Sequence, residues 1–187
     1  MERSFRWRTI EGDGLEYFSI HAIERGFVAE GVVIGARSGN LAAVAPFGCS
    51  YLVRCDEDWH VRQVEVRVAG GAHLLLRADG KGMWSGPGGA PLPALSGCID
   101  VDLACTPFTN TLPIRRLGDA LRVRHEIRVA YVTVPEAGVM PSHQAYTALG
   151  AGRYRFESLP DAFEADIATD ADGLVVDYPG LFRRAPA

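Results

Sequence analysis

With 187 residues, 48% hydrophobic and 22% charged, the chain has room for one domain, 1–187, with a sizeable core and little room for a second. A formal charge of −4 gives no basic footprint for nucleic acid or an anionic membrane. No apolar run approaches the ~18 residues of a membrane helix, and the start "MERSFRWRTIEGDG" has no signal-peptide core, so the expectation is a cytoplasmic protein without integral membrane association.

The first strong pattern is "YFSIHAI", which sets Tyr17, Ser19 and His21 opposite Phe18 and Ile20, the alternation of a half-buried strand. Further strand candidates follow at 27–34 and 49–55. "VRQVEVRV" then sets Val64, Val66 and Val68 opposite Glu65 and Arg67. Segments 74–78, 98–103, 122–134, 154–158, 162–168 and 174–178 read as strands as well. Between them Asp13-Gly14, Gly70-Gly71, Asp79-Gly80 and Asp172-Gly173 accept the positive φ of tight turns, which predicts an antiparallel sheet. "WSGPGGAPLPAL", 84–95, reads as one loop, and no repeat or low-complexity tract interrupts the chain.

The stretch "CIDVDLACTPFTNTLPIRRL", 98–117, is the most unusual, because its polar variety exceeds what a core strand or helix needs. It also holds the one good helix position. Thr106 suits an N-cap and Pro107 the first turn, Arg115 and Arg116 suit the negative end of the dipole, and Gly118 suits the position just past the end. Pro113 leaves two readings open, a helix over 107–117 kinked at the proline or a shorter one capped by Thr111. Many strands and one short helix predict a mainly β fold, a large curved antiparallel sheet or open barrel wrapped around that helix.

Several blocks, in order along nearly the whole chain, resemble the "putative glycolipid-binding" family: "CDEDWHVR" (55–62), "RADGKGMW" (77–84), "GCIDVDLACTPFTNTLPIRRL" (97–117), "RVAYVTVP" (128–135), "QAYTAL" (144–149) and "GLVVDYPGLFRR" (173–184). The resemblance implies a bacterial single-domain protein, a many-stranded sheet around one helix with a likeness to lipoprotein-carrier folds, and a homodimer. It brings no established catalytic residues.

Asp100 and Asp102, two apart on a strand, project from one face and form an acidic spot. One reading makes them a buried lock with Arg115 and Arg116, another makes them acceptors for sugar hydroxyls, and a third makes them catalytic. Glycoside hydrolysis needs carboxylates on opposite sides of the scissile bond, so two from one strand face would require a third, such as Asp56, Asp58 or Glu126. No G-x-S-x-G elbow or phosphate loop is present.

Asn110 and Thr111 either satisfy backbone around the proline-interrupted helix or meet a ligand. Asp56 shapes a turn before Trp59, and Trp59 or Trp84 offers a face on which a sugar or lipid could lie. The scattered histidines read as polar-face residues. Cys49, Cys55, Cys98 and Cys105 have no zinc spacing and read as buried free thiols, so no metal or cofactor is expected.

The candidate ligand site is thus Asp100, Asp102, Asn110, Thr111, Arg115, Arg116, Asp56, Trp59 and Trp84, for a glycolipid or other amphipathic small molecule. The alternatives are a hydrolase or transferase using Asp100 and Asp102, or a dimeric interaction protein with no small ligand.

Overall fold

A computed structural model describes residues 2–11, 13–35 and 46–186. Among these residues a single 14-stranded sheet curves around one α-helix without closing into a barrel. The first half of the chain supplies β1 (Glu2–Thr9), β2 (Leu15–Ile23), β3 (Gly26–Gly35), β4 (Phe47–Cys55), β5 (Val61–Val68), β6 (His73–Ala78) and β7 (Trp84–Ser85). The second half supplies β8 (Asp100–Leu103), α1 (Thr111–Leu117), β9 (His125–Val132), β10 (Val139–Gly150), β11 (Arg153–Ser158), β12 (Phe163–Thr169), β13 (Val175–Tyr178) and β14 (Phe182–Arg184).

The spatial order runs from β7 down to β1, then from β14 down to β8, so the two ends of the chain meet at the middle of the sheet. That seam is short, with Trp7, Arg8 and Thr9 opposite Arg184, Arg183 and Phe182. It is reinforced from the concave side, where the Trp7 indole donates to the Val175 carbonyl at 2.9 Å and Arg184 binds Asp170 at 2.8 Å while lying 4.1 Å from the Phe5 ring centroid.

Alternation decides which side of each strand is buried. Phe18, Ala29, Val53, Val64 and Leu76 point inward and are almost fully buried, whereas Tyr17, Glu30, Arg54 and Arg67 point out. The predicted turn glycines Gly70, Gly80 and Gly173 sit at φ of +67°, +75° and +78° between their strands. All pairings are antiparallel except one, since β8 runs parallel to β9. The antiparallel sheet expected from the turns is thus observed, with this one parallel pairing at its edge. Its cause is the helix, because the chain crosses over through α1 before returning and a crossover sets two strands parallel.

The segment read as one loop, 84–95, holds β7 and two 3₁₀ turns, Pro87–Gly89 and Pro93–Leu95. Its anchors are the Trp84 indole, which donates to the Cys98 carbonyl at 2.7 Å, and Arg128, which donates to the carbonyls of Ser96 and Ala94.

Both helix readings prove partial. Thr106 caps a 3₁₀ turn, Pro107–Asn110, by accepting from the Phe108 amide at 3.1 Å, and α1 follows directly. Pro113 lies third in α1, inside the first turn, where a missing N–H breaks no α-helical bond. Phe108, Leu112 and Ile114 bury the helical segment against the concave face.

Candidate functional site

On β8 the side chains alternate between Val101 and Leu103, both buried in the core, and the carboxylates Asp100 and Asp102 on the other side. Asp100 is fully buried, and Arg116 in the last turn of α1 forks onto it with Nε to Oδ1 at 3.1 Å and a terminal nitrogen to Oδ2 at 2.5 Å. Burial pushes the Asp100 carboxyl up from its usual range, while the hydrogen bonds and charge of Arg116 pull it back. Arg115 does not share this pair. It stands one residue earlier on the helix and lies 5.1 Å from the Trp59 ring centroid.

Asp102 is held differently. It keeps part of its surface open, and it accepts from the Thr109 hydroxyl at 3.1 Å on Oδ1 and from the Gln144 amide at 2.6 Å on Oδ2. No cationic side chain among the described residues forms an ion pair with it. Burial pushes its carboxyl up, opposed by Gln144 and Thr109. Gln144 in turn accepts from the Tyr146 hydroxyl at 3.4 Å, and the Asn110 amide donates to that hydroxyl at 2.9 Å. A continuous polar chain thus runs from Asn110 through Tyr146 and Gln144 to Asp102 and Thr109.

A second buried polar cluster ties the same segment to the first half of the sheet. Glu16 on β2 accepts a hydrogen bond from the Tyr51 hydroxyl and another from the Thr106 hydroxyl at 2.8 Å. Its other oxygen, Oε2, is buried without a partner. Burial raises the Glu16 carboxyl from 4.5 to about 8, although Tyr51 and Thr106 both lower it. Close by, the Cys49 and Cys105 thiols influence each other, which lowers the first and pushes the second well up, and all four cysteines are free and buried.

The other candidates fall in separate places. Asp56 holds the β4–β5 turn by accepting from the amides of Asp58 at 3.1 Å and His60 at 2.9 Å, with Trp59 at φ +67° inside that turn. Trp59 packs on Phe27 at 4.4 Å between centroids. Trp84 is 3% exposed and serves as the loop anchor described above, so its ring face is taken. Thr111 is fully buried with its hydroxyl unpartnered.

Glu16, Tyr51, Gln144 and Tyr146 were not singled out from sequence. Glu16 did carry a signal, since it lies two before Phe18 in the strand alternation and so belongs to the inward face. Gln144 carried none, because its strand shows no clear alternation.

From Asp102 outward the concave face turns aromatic. Tyr146 meets Phe156 at 5.3 Å, Phe156 meets Tyr178 at 5.9 Å and Phe163 at 6.2 Å, and Tyr178 meets Phe182 at 6.4 Å. Burial pushes the Tyr178 hydroxyl well up and the charge of Asp102 adds to it, which places the ring beside the carboxylate's field. Phe163 ends the row 38% exposed. A polar end and an aromatic shelf therefore adjoin on one face.

The model of a family described as "Putative glycolipid-binding" matches residues 4–184. A crystal structure of a DUF1089 family protein from Pseudomonas aeruginosa is similar to this chain at 39% identity, with a TM-score of 0.77 over 91% of this chain and 92% of that one. No curated protein matches the chain.

Proposed function

Because the chain belongs to the family described as "Putative glycolipid-binding", we propose that it binds a sugar-bearing amphipathic lipid on the concave face of the sheet and does not turn it over. The observation that carries the reading is Asp102, a part-open carboxylate held by neutral donors and set beside the aromatic shelf. Such a carboxylate has lone pairs left for sugar hydroxyls, and Phe163 with the part-open Phe182 offers apolar rings to a tail over the buried Tyr178. Asn110, Gln144 and Tyr146 fix the carboxylate's direction. Thr111, with its unpartnered hydroxyl, belongs to the polar end of this reading.

Binding without turnover is favoured because Asp100 is taken up by Arg116. Of the two β8 carboxylates that leaves Asp102, where glycoside hydrolysis uses two on opposite sides of the bond. Asp100, Arg116, Arg115, Asp56 and Trp59 then act by holding the helix and the β4–β5 turn rather than by touching ligand, and Trp84 by holding the 84–95 segment. The reading places the protein in the cytoplasm, a reducing compartment that suits four free thiols, and as a homodimer.

Native mass spectrometry of freshly purified protein, followed by binding and product assays on a panel of glycolipids and synthetic glycosides, tests the reading. A retained sugar-bearing lipid, lost in Asp102→Asn, is expected. Steady release of free sugar, or equal retention by Asp102→Asn, overturns it. Light scattering at twice 20.2 kDa is the expectation for the dimer.

A further inference from the structure

On the face turned away from the helix, strand pairing arranges side chains in rows. One row runs Arg183, Arg8, Leu15 and Ile34 across β14, β1, β2 and β3, and the next runs Arg6, Tyr17, Val32 and Ser50 across β1 to β4. The four apolar members form a contiguous block and are 45% (Leu15), 64% (Ile34), 52% (Tyr17) and 55% (Val32) exposed. A contiguous apolar patch on a sheet face marks an interaction site more often than isolated apolar residues do.

One flank of the block is basic. Arg8 and Arg183 stand directly opposite each other across the seam, a like-charge pairing that costs stability. Asp177 binds Arg183 at 2.7 Å, but Arg8 has no ion pair among the described residues. Both arginines line a depression of about 520 Å³, together with Thr9, Ile10, Asp13, Gly14 and Leu15. A smaller one of about 330 Å³ opens over Tyr17, Val32 and Leu52.

We propose that this face docks on a bilayer of anionic lipids, with Leu15, Tyr17, Val32 and Ile34 entering the headgroup layer and Arg8, Arg183 and Arg6 binding lipid phosphates. Apolar side chains flanked by arginines are the composition that holds a protein in the plane of an anionic membrane. Lipid phosphates would also relieve the Arg8–Arg183 repulsion. A second copy of the chain would have to meet Arg6 and Arg8 with carboxylates of this same face, where Asp177 is held by Arg183 and Glu65 by Arg67 and His73 while Glu30 and Asp13 border the two depressions, so it is the poorer occupant. The docking face lies on the opposite side of the sheet from the proposed cargo site and stands without it.

The test is co-sedimentation with vesicles that contain no glycolipid, so that failure of the cargo reading leaves the result untouched. Wild type should sediment with phosphatidylglycerol-containing vesicles, stay in the supernatant with phosphatidylcholine alone, and be released by high salt. Arg8→Glu should weaken partitioning by more than the roughly five-fold expected for loss of one arginine, and Ile34→Asp should weaken it as well. Both positions are exposed on strands, and circular dichroism checks that the variants fold. The proposal is overturned if wild type ignores anionic vesicles, if both variants sediment as wild type does, or if light scattering finds a dimer that Ile34→Asp splits.

Discussion

Arg116 and Asp100 form a two-point bond, at 3.1 and 2.5 Å, that ties the last turn of the helix to the strand running beneath it. The carboxylate is fully buried and the guanidinium is largely covered. Removing one partner strands the other, so Asp100→Ala or Arg116→Ala should each cost ~3 to 5 kcal/mol by urea denaturation. Replacing both together, Asp100→Ala with Arg116→Met, should cost less than either single change. Strictly additive losses would mean that the two groups do not act as a pair.

Arg115 provides the contrast. It is exposed and contributes a cation–π contact to Trp59, so Arg115→Ala should cost only about 0.5 to 1 kcal/mol by the same measurement. A loss as large as that of Arg116→Ala would contradict this division of roles.

Glu16 should give the fold a pH dependence of definite sign. Its carboxyl is raised from 4.5 to about 8, so the native state favours the protonated form. The contribution is fully present below pH 4.5 and is lost as pH rises through about 8, a change on the order of 5 kcal/mol. Glu16→Gln keeps an acceptor for Tyr51 and Thr106 without the titration. Wild-type stability should fall relative to this variant across that window, and parallel curves would show that Glu16 is not the source.

Much of this architecture was legible because alternation is a backbone property. Tyr17 and Phe18 landed on opposite faces as their sequence positions require. β1 has the same alternation, with Phe5 and Trp7 inward and Arg6 and Arg8 outward, but its charge density disguised it. β10, "VMPSHQAYTALG", was missed because Pro141 and a run of polar residues break the pattern; its neighbours β9 and β11 hold it in the sheet regardless of propensity. The site was legible to the same depth. The two carboxylates of β8 stood out, but which arginine meets Asp100 depends on the rotational phase of α1, and that phase follows from the 3₁₀ turn before it.

Gly31 offers a test of how the buried Glu16 cluster is positioned. The Tyr51 ring on β4 lies across the backbone of Gly31 on β3, and a Cβ built on Gly31 would overlap the hydroxyl end of the ring. Only glycine leaves that space, so Gly31→Ala must push the ring aside and take its hydroxyl off Glu16 and Thr106. Overpacking of this kind costs about 1 to 3 kcal/mol, and the misplaced hydroxyl removes one of the two bonds that hold the Glu16 carboxyl down. Gly31→Ala should therefore lower the urea midpoint and also extend the pH-dependent loss of stability to higher pH. Tyr51→Phe separates the two effects, because it deletes the hydroxyl and keeps the ring; it should reproduce the pH shift without the packing loss. If Gly31→Ala is as stable as wild type and titrates like it, the ring does not rest on that glycine in the folded protein.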